Sequence, residues 1–248
     1  MILVQIQKLS TSKTLLQSAA KLAVQLGKSF AVITVTGNEY ELKTLLNECK
    51  ITDSQNYIKD NSKSLVEICE AEEASFLLIQ LPNGNTKSIR GLLNDCRDLR
   101  IPYLFYKDSF GELDLRKVIL PIGFLEEELE KAQFAAAFGR FCNSEIMMLL
   151  ANDYGSKAAT NAAKMEDLFN KFDFKHTLKK ATKDSFKVEA ESIQEAEKEQ
   201  AGMIIVSASR DYGLDDILFG PKEYHVVKKS DIPVLLVNPR GDLYALCD

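Results

Sequence analysis

The sequence predicts an α/β protein built as two tandem, doubly wound, five-stranded parallel sheets. Three observations carry the prediction. Short, almost continuously apolar runs alternate with amphipathic stretches, which is the pattern of parallel strands covered by helices on both faces. The pattern occurs twice: sliding the chain by 116 residues lays Ile2-Leu3-Val4-Gln5-Ile6 on Val118-Ile119-Leu120-Pro121-Ile122, and Leu9 on Leu125. The length, 248 residues, suits two domains of modest size.

The first strand of each half is the apolar run just named. A helix follows. In the first half Leu15, Ala19, Leu22 and Leu26 draw one apolar stripe; in the second, Ala132, Ala135, Phe138 and Cys142 do so. Glu126, Glu127 and Glu128 stand where the second of these helices should begin, favourable beside the positive end of its dipole. The next strands are 30–35 and 146–151, each closed by a polar break, Thr36-Gly37-Asn38 and Asn152-Asp153. Helices are predicted over 41–49 and 157–171, weak third strands near 57–60 and 174–180, and further helices over 61–73 and 192–200. Two matched strands close each half. Residues 75–80 resemble 202–207, and Ile101-Pro102 opens one last strand as Ile232-Pro233 opens the other. A last helix is predicted around His225. Strand–helix alternation implies right-handed crossovers. The expected domains are 1–107 and 117–248, joined by a linker over 108–116 that is polar around Gly111.

Composition narrows the function. Hydrophobic residues make up 46% and charged residues 27%, values of an ordinary folded chain. No apolar run approaches the length of a membrane helix, and the N-terminus lacks the basic and apolar regions of a secretory signal, so a cytoplasmic protein with no membrane partner is expected. Lys and Arg number 31 against 36 Asp and Glu, net −5, with no basic surplus in either half, which argues against nucleic acid. The five cysteines are scattered, none at zinc spacing with another Cys or a His, and are read as buried thiols, Cys247 as the exposed one. No phosphate-loop, dinucleotide, zinc-protease or nucleophile-elbow motif occurs. His176 reads as part of an exposed edge strand and His225 as a packing or surface residue of the last helix, not as catalytic bases. The acidic runs Glu70-Ala71-Glu72-Glu73 and Asp215-Asp216 read as solvated faces rather than metal ligands. Phe134, Phe138 and Phe141 form a helical stripe, read as core with an inter-domain contact as the alternative.

At the run Val118 to Phe124, the closing strands 203–207 and 232–237, and the glycines between Gly213 and Gly220, the chain resembles the universal stress protein family in a tandem arrangement. The resemblance covers nearly all of 117–240 and rests on the internal repeat over 1–106. It implies the adenine-nucleotide α-hydrolase-like sandwich fold, with a nucleotide cleft at the carboxyl ends of the strands. Nucleotide-binding members carry an Asp at the end of the first strand and a spaced glycine motif closed by Ser or Thr. Small residues there let backbone amides reach phosphates at a helix N-terminus. This chain departs from that pattern. The Asp position is Gly123, and the motif positions fall on Ser207, Arg210, Gly220 and Pro221, the last lacking both hydroxyl and amide hydrogen. In the first half Gln7 stands where Asp would, and no glycine motif follows 82–85.

The expected vestigial cleft is therefore Pro121, Ile122, Gly123, Ala151, Ser207, Arg210, Gly220 and Pro221, with ATP binding lost, no other cofactor and no metal. The resemblance implies a non-catalytic stress-response protein that binds a protein or small ligand. It also implies that the halves pair through their last strands, 101–106 with 232–237, as the family's homodimers do; a homodimer of the whole chain is a further option. Three alternatives stand: an ATP switch with a rewritten site using Ser207 and Arg210, an enzyme of the related hydrolase or transferase group, and a purely structural assembly protein.

Overall fold

A computed structural model describes residues 1–34, 39–51, 54–58, 63–81, 86–209 and 221–240. The chain divides into two compact units, Met1–Leu113 and Asp114–Asp248. The first unit contains β1 (Ile2–Ile6), α1 (Lys13–Leu26), β2 (Phe30–Thr34), α2 (Glu39–Glu48), β3 (Ser54–Ile58), α3 (Leu65–Ala71), β4 (Phe76–Leu81), α4 (Thr86–Asp95) and β5 (Tyr103–Lys107). The second contains β6 (Lys117–Ile122), α5 (Glu130–Cys142), β7 (Glu145–Leu150), α6 (Lys157–Lys171), β8 (His176–Lys180), α7 (Val188–Lys198), β9 (Met203–Ser207), α8 (Lys222–Lys229) and β10 (Val234–Val237).

Within the first unit the strands lie in the order β3-β2-β1-β4-β5, and within the second β8-β7-β6-β9-β10, every described pairing parallel. The two orders are the same permutation. The apolar runs explain the core: Ile2, Leu3, Val4 and Ile6 are fully buried, as are Val118, Ile119, Leu120 and Ile122. Strands with no exposed residue need helices on both faces, and the amphipathic helices supply them. Among the strands whose burial is described, β8 alone breaks the pattern, with four of its five residues exposed, as a charged sheet edge does.

Local signals place the helix ends. α1 stops at Gly27, whose φ of 60° is the left-handed conformation glycine adopts without strain. α5 stops at Asn143 in the same conformation, φ 53°. α3 begins with a reciprocal capping box between Ser64 and Glu67, which holds the Glu67 carboxyl below its ordinary range.

Two stretches differ from a reading by polarity alone. Residues 126–129 form a short 3-10 turn, and α5 begins only at Glu130. The physical reason is that Glu128 turns into the protein instead of facing solvent beside the helix dipole. The stretch 108–116 is packed, not extended in solvent: Phe110, Leu113 and Leu115 are buried. The Tyr106 hydroxyl donates to the Gly111 carbonyl, and the Leu113 amide donates to Ser18 Oγ at 3.0 Å.

Candidate functional site

In a doubly wound sheet the carboxyl ends of the central strands face a crevice that commonly holds a ligand. In the second unit those ends are Pro121-Ile122 closing β6 with Gly123 after it, Ala151 after β7 and Ser207 closing β9. All are buried, as is Pro221 at the start of α8. Arg210 and Gly220 lie outside the described residues, as do Gly213 and Asp215-Asp216.

The space beside Gly123 is filled by protein. A Cβ built on Gly123 would stand 2.9 Å from Glu128 Oε1 and 3.0 Å from Ser185 Oγ. The Gly123 amide donates to Glu128 Oε2, and the Phe124 amide donates to Ser185 Oγ at 2.9 Å. Ser185 is itself fixed, its amide and hydroxyl both donating to Asp153. Lys131, with no exposed surface, donates its ammonium to the Pro121 carbonyl and lies 3.4 Å from Glu128 Oε2. The backbone groups at the end of β6 are thus held by an internal carboxylate and ammonium.

A second layer of buried charge lies at α7 and α8. Lys222 Nζ is 2.9 Å from Glu189 Oε1, and Glu189 is nearly buried. Burial alone would lower the Lys222 ammonium, but Glu189, Glu128 and Glu223 outweigh it and hold it above its ordinary value. Glu223 has no exposed surface and accepts from the Ser209 hydroxyl at 2.8 Å and the Ser209 amide at 3.2 Å. Burial pushes its carboxyl above the ordinary range. Glu189 Oε2 and Ser207 Oγ are buried without a hydrogen-bond partner among the described residues. The carboxyls of Glu128, Glu189 and Glu223 thus share this end of the sheet with the ammonium groups of Lys131 and Lys222.

In the first unit one side-chain amide takes up the backbone groups just after β1. Gln80, near the end of β4 and fully buried, accepts from the amides of Gln7 and Lys8, both at 2.9 Å. Its nitrogen reaches the Lys8 carbonyl at 3.0 Å, Thr11 Oγ1 at 3.1 Å and Asp108 Oδ1 at 2.7 Å. Thr11 in turn donates to Asp108 Oδ2 at 2.7 Å. The turn after β1 is therefore tied to β4 and to the end of β5.

No family model and no curated protein matches the sequence. Solved structures do match in shape. A universal stress protein from Archaeoglobus fulgidus DSM 4304 superposes with a TM-score of 0.68 at 14% identity, over 97% of each chain. A protein of unknown function from Pseudomonas aeruginosa PAO1 gives 0.60 at 15% identity, over 99% of this chain and 94% of that one. The fold is that of the universal stress proteins. A third structure, provisionally assigned as a universal stress protein from Pseudomonas aeruginosa UCBPP-PA14, gives 0.57 at 14% identity over 99% of this chain and 95% of that one.

On the universal stress protein fold the expected cleft residues Pro121, Ile122, Gly123, Ala151, Ser207 and Pro221 gather at one end of the second sheet. The residues that fill it, Glu128, Lys131, Ser185, Glu189 and Glu223, were not singled out from sequence as site residues. Lys131 carried a legible signal: it stands four and seven positions before Ala135 and Phe138, on the apolar stripe of α5, where a solvated lysine does not belong. Glu128, three residues earlier on the same face, is its partner. The His176 ring meets the Phe174 carbonyl and the Phe169 ring, and His225 packs edge-on to Tyr224. Burial pushes the Cys69 thiol up to about 12 and that of Cys142 to about 11, so neither ionises near neutral pH. Among the described residues no helix is long and apolar enough to cross a membrane, and no group of side chains could hold a metal ion.

Proposed function

We propose that the chain is a cytoplasmic, non-catalytic protein of the universal stress type, a tandem of two related domains whose nucleotide crevices are closed by their own side chains. It acts in stress by binding a protein or small ligand other than ATP. The observation that carries this reading is the Glu128–Lys131 pair, which occupies the Gly123 amide and the Pro121 carbonyl from inside. Gln80 does the same for the turn after β1 in the first unit. The Glu128 carboxylate fills the space beside Gly123 and accepts from its amide, and displacing it would leave a buried ammonium without its partner.

Thermal shift and calorimetric titration with ATP and magnesium test it. The expected result is no shift at millimolar nucleotide; a saturable shift of several degrees would overturn it. A second reading, an ATP switch built on Ser207 and Arg210, is favoured by one observation, the buried and unpartnered hydroxyl of Ser207. It requires nucleotide binding that Ser207→Ala and Arg210→Ala each abolish.

A further inference from the structure

A surface hollow of about 340 Å³ lies on the outer side of the loop after β6. Phe124 and Leu125 form one wall, and Lys157 and Lys164 on the first two turns of α6 form the other. The apolar wall continues outward, because the exposed ring of Phe186 packs edge-on against Phe124 at 5.5 Å between centroids. The loop that carries this wall is pinned. Asn161, buried at the floor, donates through Nδ2 to the Gly123 carbonyl at 3.0 Å and the Leu125 carbonyl at 2.9 Å, and the Phe124 amide is held by Ser185. A preformed wall lowers the ordering cost of binding.

The charge on the other wall is poorly compensated. Lys164 has one carboxylate near it, Glu126 at 3.4 Å, and both side chains are more than half exposed, so the pair is weak. Lys157 has no carboxylate partner among the described residues. The volume falls within the range of roughly 300–1,000 Å³ typical of small-molecule pockets.

We infer that the hollow between Phe124-Leu125 and Lys157/Lys164 binds an amphipathic organic anion, a single acid group on a flat aromatic body, with the ring against Phe124 and Phe186 and the acid between the two ammonium groups. This rests on the reading that the protein works by binding something other than ATP, and it places that binding outside the closed crevice.

The test uses the full chain and two fluorescent probes, 8-anilinonaphthalene-1-sulfonate and its uncharged relative N-phenyl-1-naphthylamine. The sulfonate binds saturably at one site, and the neutral probe binds at least tenfold more weakly. Lys157→Glu and Lys164→Glu each weaken the sulfonate about tenfold or more, as loss of a charged contact does. Lys171→Glu, some 14 residues or ~21 Å along α6, leaves it unchanged. Amide resonances of Phe124, Leu125 and Thr160 shift on titration. Absence of saturable binding to the folded chain, equal affinity of the two probes, or indifference to both lysine substitutions overturns the inference. A failure of this kind leaves the closed crevice standing, whereas tight ATP binding removes the reading beneath it.

Discussion

Replacing Lys131 with methionine isolates the feature on which the closed crevice depends. The ammonium is fully buried and 3.4 Å from Glu128 Oε2, so at an effective dielectric constant of 20 their attraction is about 332/(20 × 3.4), or about 5 kcal/mol. Methionine fills most of the volume but leaves the buried Glu128 carboxylate with the Gly123 amide and the more distant charge of Lys222, and leaves the Pro121 carbonyl without its donor. Part of the lost attraction is offset because a buried ammonium no longer needs desolvation. Removal of one partner of a buried pair costs about 3–5 kcal/mol in comparable cases. With a urea dependence of about 2 kcal/mol per molar, the unfolding midpoint of the second unit should fall by roughly 1.5–2.5 M. Urea titration followed by circular dichroism measures the midpoint, and hydrogen exchange at the amides of β6 assigns it to this unit. The double variant Lys131→Met with Glu128→Leu should recover most of the loss, since neutral apolar residues replace a buried pair at little cost. A single variant that loses less than about 1 kcal/mol, or a double variant no better than the single, would refute the argument.

Gly202→Ala should be among the most damaging small substitutions in the chain: the added Cβ would stand 1.6 Å from the Asp114 carbonyl oxygen, so backbone must move, and the cost expected for such overpacking is about 3 kcal/mol or more, read as a lowered urea midpoint. Glu223 gives a pH signature. Its carboxyl is raised by burial, so the native state holds its proton more tightly than the unfolded chain, where the value is about 4.3. Its contribution is fully present below that unfolded value and is lost as pH rises through the raised native one. Glu223→Gln, which stays neutral, should gain stability relative to the parent as pH rises from 4 towards neutrality; a difference that stays flat across this range would count against the assignment.

What the sequence made legible was whatever depends on periodicity. The strands of type Ile2–Ile6 and Val118–Ile122 announce themselves because burial on both faces removes polar residues from them. The helix over 157–171 has the same bounds in the structure, because its apolar positions Ala158, Ala162, Met165 and Phe169 all face the core. The third strand of the first unit lies a little earlier than expected, at Ser54–Ile58, since its residues show no strong alternation. Of the Phe134, Phe138 and Phe141 stripe, only Phe138 is fully buried; Phe134 is half-buried and Phe141 half-exposed. The site was legible only as a departure from the expected pattern: Gly123 has no carboxylate and Pro221 neither a hydroxyl nor an amide hydrogen, and that can be read from residue types alone. What replaced them could not, because Glu128, Ser185 and Glu189 come from separate loops and helices whose convergence is a tertiary fact.

That convergence bears on why the backbone groups at the end of β6 are met by charge and not by apolar side chains. The ends of parallel strands leave backbone amides and carbonyls that must find partners when they are removed from water. A bound nucleotide can supply them; in its absence the protein has to. Glu128 satisfies an amide and Lys131 a carbonyl, each beyond the reach of a leucine, and in the first unit the single amide of Gln80 satisfies both kinds of group without carrying charge. The two units thus solve one backbone problem with different side chains. The neutral solution fits a turn whose donors and acceptors lie side by side, at the amides of Gln7 and Lys8 and the Lys8 carbonyl. The charged one fits the second unit, where Glu189, Lys222 and Glu223 already set a buried field around Glu128 and a lone carboxylate would otherwise be repelled.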